Sequence, residues 1–171
     1  DSNFNVLFIC TFSDDEPYNE VFKAAKEVYT YDKNIHFYVT GNYLKKGIKP
    51  SDYSKNITFL GYVSEFEYVS MLFSVDATID LTLRDDCLVC GAYESIAAEK
   101  PIILSNTEAL KTFFYKGSIF TYNTSEAIQY AILKLKSDYK ILQKEIYEIK
   151  SIKINEFESM LTGFENKIQH E

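Results

Sequence analysis

Leu83–Pro101 reads LRDDCLVCGAYESIAAEKP. The stretch leaves an apolar strand pattern, crosses an acidic turn (Arg84, Asp85, Asp86) and passes Gly91 into a helix carrying Tyr93 and Glu94. Lys100-Pro101 stops that helix, and a second apolar run begins. A strand, a polar turn and a helix N-terminus aim free backbone N–H groups and the positive end of the helix dipole at whatever lies above the turn. An anion such as a diphosphate suits that place. Any strand–helix connection shares this form, so the flanking sequence decides.

Upstream, Ala77 to Leu83 reads as the fourth strand of a series, and downstream Pro101 to Leu104 reads as the fifth. Asn5 to Phe12 (NVLFICTF) is nearly continuous in apolar residues, the pattern of a strand buried on both faces. Pro17 suits the first turn of a helix in which Val21, Phe22, Ala25, Val28 and Tyr29 recur at helical spacing. Ile35 to Thr40 and Ile57 to Gly61 are the second and third strands, joined by a polar, irregular connection, Tyr43 to Asn56. Ser64 and Glu67 form a capping-box pattern and open a helix expected to turn Phe66, Val69, Leu72 and Phe73 inward. A short helix spans Ala109 to Phe114, Ser118 to Tyr122 is the sixth strand, and Ser125 is expected to cap a helix burying Ile128, Ala131, Ile132 and Leu135. Six alternations of strand and helix predict a Rossmann-like α/β fold, a doubly wound six-stranded parallel sheet with helices on both faces.

Residues 1–138 would form that domain, and 139–171 an extra C-terminal helical tail. In the tail Phe157, Met160, Leu161, Phe164 and Ile168 make one apolar stripe. The stripe packs on this domain or on a second one.

The chain has 171 residues, 46% hydrophobic and 25% charged, enough for a core without disulfides. A formal charge of −7 argues against nucleic acid as a partner. No apolar run approaches the ~20 residues of a membrane span. Three Cys, an odd number, suit a reducing compartment. A start at Asp1-Ser2-Asn3, with a strand pattern following almost at once, is what a fragment of a longer protein would show.

In doubly wound sheets of strand order 3-2-1-4-5-6, the ligand crevice lies between the loops after strands one and four. Here these are Thr11 to Asp15 and Arg84 to Gly91. Thr11 and Ser13 offer hydroxyls to a diphosphate, and the helix starting near Leu88 offers N–H groups. Arg84, the one arginine of the chain, is either a phosphate ligand or a solvated charge. Glu94 either gains from the helix dipole or accepts hydrogen bonds from a ribose diol. Neither Gly-x-Gly-x-x-Gly nor Gly-x4-Gly-Lys-Ser/Thr occurs, which disfavours ordinary dinucleotide and P-loop sites.

From about Asn5 to Leu135 the chain resembles the C-terminal, donor-binding domain of group 1 (family 4, retaining) glycosyltransferases of the GT-B fold. The acidic–seven-residue–Glu motif of that family appears as Asp86 to Glu94, DCLVCGAYE, followed by SIAAEKPII. Val39-Thr40-Gly41, Phe59-Leu60-Gly61-Tyr62-Val63 and Asp14-Glu16-Pro17 support it. The resemblance implies a nucleotide-sugar donor, UDP- or GDP-linked, and no metal or other cofactor. Glu94 would hold the ribose, Asp86 would act as the catalytic group facing the transferred sugar, and Leu88, Val89, Cys90 and Gly91 would give amides to the diphosphate. Tyr62 and Val63 would meet the base.

A sugar would pass with retention to a glycan, lipid or protein acceptor. The partner is an acceptor domain missing from this chain, supplied in cis or in trans. The setting implied is bacterial polysaccharide biosynthesis in the cytoplasm, with any membrane association through the missing half. Asp86 stands where Glu is commoner, and Glu99 where Gly is usual. Asp14, Asp15 and Glu16 replace the basic residues of the first loop. They are expected to cap the first helix, leaving Arg84 as the substitute cation.

Other readings remain. A non-catalytic nucleotide-binding subunit of a split transferase fits the same residues. Cys87-Leu88-Val89-Cys90 at a helix start resembles a thiol-redox centre, although it follows the fourth strand of a long series. A zinc site lacks a second Cys pair, and His36 and His170 are far apart. A phospho-accepting receiver fails because strand three ends in Leu60-Gly61 and strand five leads to Ser105-Asn106.

Overall fold

The computed structural model describes the backbone of residues 3–169 and the side chains of residues 3–162. Six strands, β1 (Phe4–Phe8), β2 (Ile35–Thr40), β3 (Ile57–Gly61), β4 (Ala77–Asp80), β5 (Ile102–Ser105) and β6 (Ser118–Thr121), alternate with helices. The helices are α1 (Tyr18–Tyr31), α2 (Glu65–Ser74), α3 (Cys90–Ala97), α4 (Glu108–Phe113) and α5 (Ser125–Ser137), followed by α6 (Tyr139–Gln169). All strand pairs are parallel, in the order β3-β2-β1-β4-β5-β6. The doubly wound Rossmann-like sheet is thus the one expected. Its order reverses between β1 and β4, where the crevice opens.

Alternate residues of each strand serve opposite faces. Val6 and Phe8 pack with Phe22, Val28, Ile128 and Ile132 from α1 and α5. Leu7 points the other way, to Leu72, Val75 and Ala98. A third cluster joins Ala92 and Ile96 of α3, Ile102 and Leu104 of β5, Leu110, Phe114, and Ile146 and Ile149 of α6. Further along α6, Phe157, Met160 and Leu161 are exposed. The side chains of Phe164 and Ile168, and all of His170, lie outside the described residues.

β1 and β4 are shorter than their apolar runs. After Phe8 the backbone turns to a side chain, with Cys10 N–H donating to Thr40 Oγ1 at 3.0 Å. After Asp80, Thr82 N–H donates to Ser105 Oγ at 2.9 Å. Leaving the ladder early frees both segments to shape the crevice. The irregular connection after β2 contains two 3₁₀ turns, Tyr43–Lys46 and Pro50–Asp52.

Three local expectations are corrected. The capping box of α2 is present, with Glu67 N–H donating to Ser64 Oγ and Ser64 N–H to the Glu67 carboxylate. The helix is nevertheless rotated. Phe66, Val69 and Phe73 are exposed, while Tyr68, Met71, Leu72 and Val75 face the sheet. Both sets satisfy helical spacing, and the fixed cap together with the tight entry into β4 selects the second. The first turn of α1 has no side-chain cap; Asp14, Asp15 and Glu16 are engaged elsewhere. Thr124, not Ser125, caps α5, accepting from Ala127 N–H.

Candidate functional site

Glu16 folds back under its own loop. Its carboxylate accepts from Thr11 N–H at 3.0 Å, Ser13 N–H at 2.9 Å, Thr11 Oγ1 at 2.9 Å and, more weakly, Cys10 Sγ at 3.3 Å. Thr11 Oγ1 also meets Ser13 Oγ at 2.8 Å. The two hydroxyls expected to meet a phosphate are therefore gathered in one place, where the Glu16 carboxylate takes the Thr11 hydroxyl together with the backbone amides of Thr11 and Ser13. Phe12 spans this turn at φ 64 and is buried beside Tyr18 and Phe22, so ring burial offsets the cost of a left-handed residue. Gly41 closes the loop from behind. A Cβ there would meet Cys10 O at 2.3 Å.

The two crevice walls are joined. Leu83 N–H donates to Asp15 O at 2.7 Å, and Arg84 Nε pairs with Asp15 Oδ2 at 2.8 Å. Lys46, from the 3₁₀ turn after β2, pairs with Asp14 at 2.8 Å. Ser13, Asp14, Asp15, Lys46, Leu83 and Arg84 line one open cleft of about 690 Å³. Arg84 is exposed and Lys46 part-exposed, and both are held by carboxylates. From below, Asn123 Nδ2 donates to Thr82 O at 2.8 Å, and Ser105 Oγ to Asn123 Oδ1 at 2.9 Å. The loop after β4 is thus braced by β5 and the loop after β6.

Asp80 ends β4 beneath the helix start. It is 8% exposed, and its Oδ2 accepts Gly91 N–H at 3.0 Å. A Cβ on Gly91 would lie 2.4 Å from that oxygen, so the close approach requires glycine. Burial pushes the Asp80 carboxyl up to about 7; the Gly91 hydrogen bond opposes the rise, and Glu16 and Glu94 add to it. Of the amides from Leu88 to Gly91, that of Gly91 is consequently committed inward. Leu88, Val89 and Cys90 border the turn, and Asp86 above it is exposed.

Glu94 lies one turn into α3, half-buried, and accepts a hydrogen bond from the Tyr68 hydroxyl on α2. Tyr62 and Val63 follow β3 on the same edge of the sheet, with Tyr62 89% exposed. Among the described residues no group of three or more His, Cys, Asp or Glu is placed to hold a metal ion. Cys87 and Cys90 are free thiols, and His36 meets Thr58 instead.

Lys46, Tyr68 and Asp80 were not among the residues nominated from sequence. Asp80 carries the clearest signal, as the one charge inside the apolar run Ala77 to Leu83. Lys46 lies in a stretch without periodicity, and Tyr68 on the face of α2 opposite the one its apolar spacing is expected to bury.

The sequence profile of the family described as "Glycosyl transferases group 1" matches residues 2–151. The chain belongs to the group 1 glycosyl transferases. No curated protein matches it by sequence. Solved structures of similar fold include the pneumococcal O-GlcNAc transferase GtfA in complex with UDP and GlcNAc, 11% identical, TM-score 0.78, covering 99% of this chain and 37% of that one. Anabaena HepE in complex with UDP-glucose is 13% identical, TM-score 0.71, covering 94% and 49%. S. aureus TarM, as a mutant bound to fondaparinux, α-GlcNAc-glycerol and UDP, is 13% identical, TM-score 0.73, covering 96% and 35%. This group 1 glycosyl transferase chain spans about a third to a half of the length of those structures. Among its described residues no helix is long and apolar enough to cross a membrane.

Proposed function

We propose that this chain is the donor-binding domain of a glycosyltransferase that passes a sugar, with retention, from a UDP- or GDP-linked donor to a glycan, lipid or protein acceptor held by a further domain. The observation that carries this reading is Glu94, a carboxylate one turn into α3 at the strand-order reversal, with the Asp86 turn above it. Glu94 accepts the ribose diol. The amides of Leu88, Val89 and Cys90 and the N-terminus of α3 take the diphosphate, whose charge as leaving group they stabilise. Arg84 turns from Asp15 to the same phosphates, and Thr11 and Ser13 do so if Glu16 withdraws. Asp86 faces the transferred sugar, and Tyr62 and Val63 meet the base. Residues 1–138 constitute the nucleotide-sugar unit, and the exposed outer part of α6 faces the acceptor domain. Bacterial polysaccharide biosynthesis is a fitting setting, and a cytoplasmic one suits a nucleotide-sugar donor.

Saturation-transfer NMR with UDP-, GDP- and ADP-sugars tests this. At least one should bind, and Glu94→Ala should weaken it roughly tenfold or more, the loss of about 1.4 kcal/mol in hydrogen bonds to a charged group. No binding by any of them would sink the proposal. One observation favours a second reading, a non-catalytic nucleotide-binding subunit of a split transferase: Glu16 fills the first loop, and the nearby cations Arg84 and Lys46 are paired with carboxylates. Donor hydrolysis or transfer by the complete protein, absent in Asp86→Asn, separates the two.

A further inference from the structure

Tyr68 lies outside the Asp86–Glu94 motif, on α2 and not on α3. Its ring is half-buried, packed with the cluster of Leu7, Leu72, Val75 and Ala98, and its hydroxyl reaches across to donate to Glu94 Oε2. We propose that Tyr68 is a positioning residue for ribose recognition, holding Glu94 by one oxygen so that the other is presented to the sugar diol.

The geometry and the chemistry of the pair both support this. A glutamate has three rotatable bonds and loses about 1.5–2 kcal/mol of rotamer freedom when ordered, so a preset carboxylate spares the ligand that cost. The tyrosine ring is a rigid lever fixed by core packing, as α2 is itself fixed by its capping box. Glu94 Oε1 accepts no hydrogen bond among the described residues, so the acceptor a diol needs stays open. Burial, then the Glu94 carboxylate, raises the phenol above its ordinary range, with Asp80 and Cys90 adding, so the hydroxyl remains a donor throughout the working pH range.

This inference rests on the donor-binding reading, and its test separates the two. UDP, GDP and ADP, each beside its 2′,3′-dideoxy counterpart, are titrated into the full chain and into Tyr68→Phe, Glu94→Ala and the double variant. The expected result is a preference for the ribonucleotide of roughly tenfold in the unaltered chain, lost in Glu94→Ala and cut several-fold in Tyr68→Phe. Dideoxynucleotide binding should stay unchanged in Tyr68→Phe, and the double variant should be no weaker than Glu94→Ala. An unaltered preference in Tyr68→Phe overturns the role of Tyr68 while leaving Glu94 intact. Equal weakening of both nucleotide types marks Tyr68 as packing alone, and tighter ribonucleotide binding marks it as a competitor of the ribose; either overturns the proposal. Absence of any ribose preference in the unaltered chain, or of nucleotide binding altogether, removes the underlying reading and this inference with it.

Discussion

Asp80 is a carboxyl that folding makes a weaker acid. In the unfolded chain it releases its proton near pH 4, in the folded one at about 7. The folded state therefore binds the proton more tightly, and the stability this confers is full below pH 4 and is lost as pH rises through 7. The Tm of the chain should fall more between pH 5 and pH 8 than that of Asp80→Asn, whose amide oxygen still accepts Gly91 N–H; calorimetry across that range checks it. Arg84 makes a second residue-level prediction. Asp15→Asn should release the guanidinium, tighten UDP binding roughly threefold and steepen its salt dependence, because a charge-assisted contact replaces an internal pair. Titrations at low and high salt measure this. Sequence could nominate Arg84 and Glu94 because their positions follow from strand order. It could not show Glu16 inside the loop, because a carboxylate at a helix start reads as a cap whichever way it turns.

α3 ends in a turn whose backbone suits glycine, at the place where this chain has Glu99. Lys100 N–H donates to Ser95 O at 2.8 Å and Glu99 N–H to Ile96 O at 3.1 Å, while Glu99 sits at φ 61. This is the helix end at which glycine is favoured, and a side chain there costs about 1 kcal/mol. The pair between Lys150 and Glu99 at 2.7 Å is part-exposed and offsets a fraction of that. Glu99→Gly should raise the unfolding free energy by about 0.5 kcal/mol, seen as a higher urea midpoint at unchanged slope. That Glu99 stands where the family resemblance implies Gly is legible in the sequence; its meaning needed the backbone angle. For α2 the reverse holds. Its cap was legible from Ser64 and Glu67, but Phe66, Val69 and Phe73 matched the helical period as well as Tyr68, Leu72 and Val75 did. Only the sheet beneath chooses between two apolar faces.

At the scale of the molecule, strand order was legible because six buried-strand patterns alternate with helices, leaving few ways to stack them. The division of labour along α6 was not, since its apolar stripe runs past the point where the core ends. Ile146 and Ile149 are fully buried, and Phe157 and Met160 are not. Ile146→Ala should cost about 2–5 kcal/mol and Phe157→Ser no more than about 0.5 kcal/mol, in chemical denaturation of the two variants side by side. The same strand order bears on synthesis. Of the six strands of this sheet β1 comes earliest in the chain yet lies inside the sheet, and the residue just before its second neighbour, β4, is tied to it, Asp76 N–H donating to Asn5 O at 2.9 Å and Asn5 N–H to Asp76 Oδ2 at 2.7 Å. Joining them closes a loop of about 70 residues, an entropic cost met before any contact across it is gained. A nascent chain leaving the ribosome therefore carries β1 with at least one edge unpaired until β4 emerges. During that interval the edge is open to pairing with other chains.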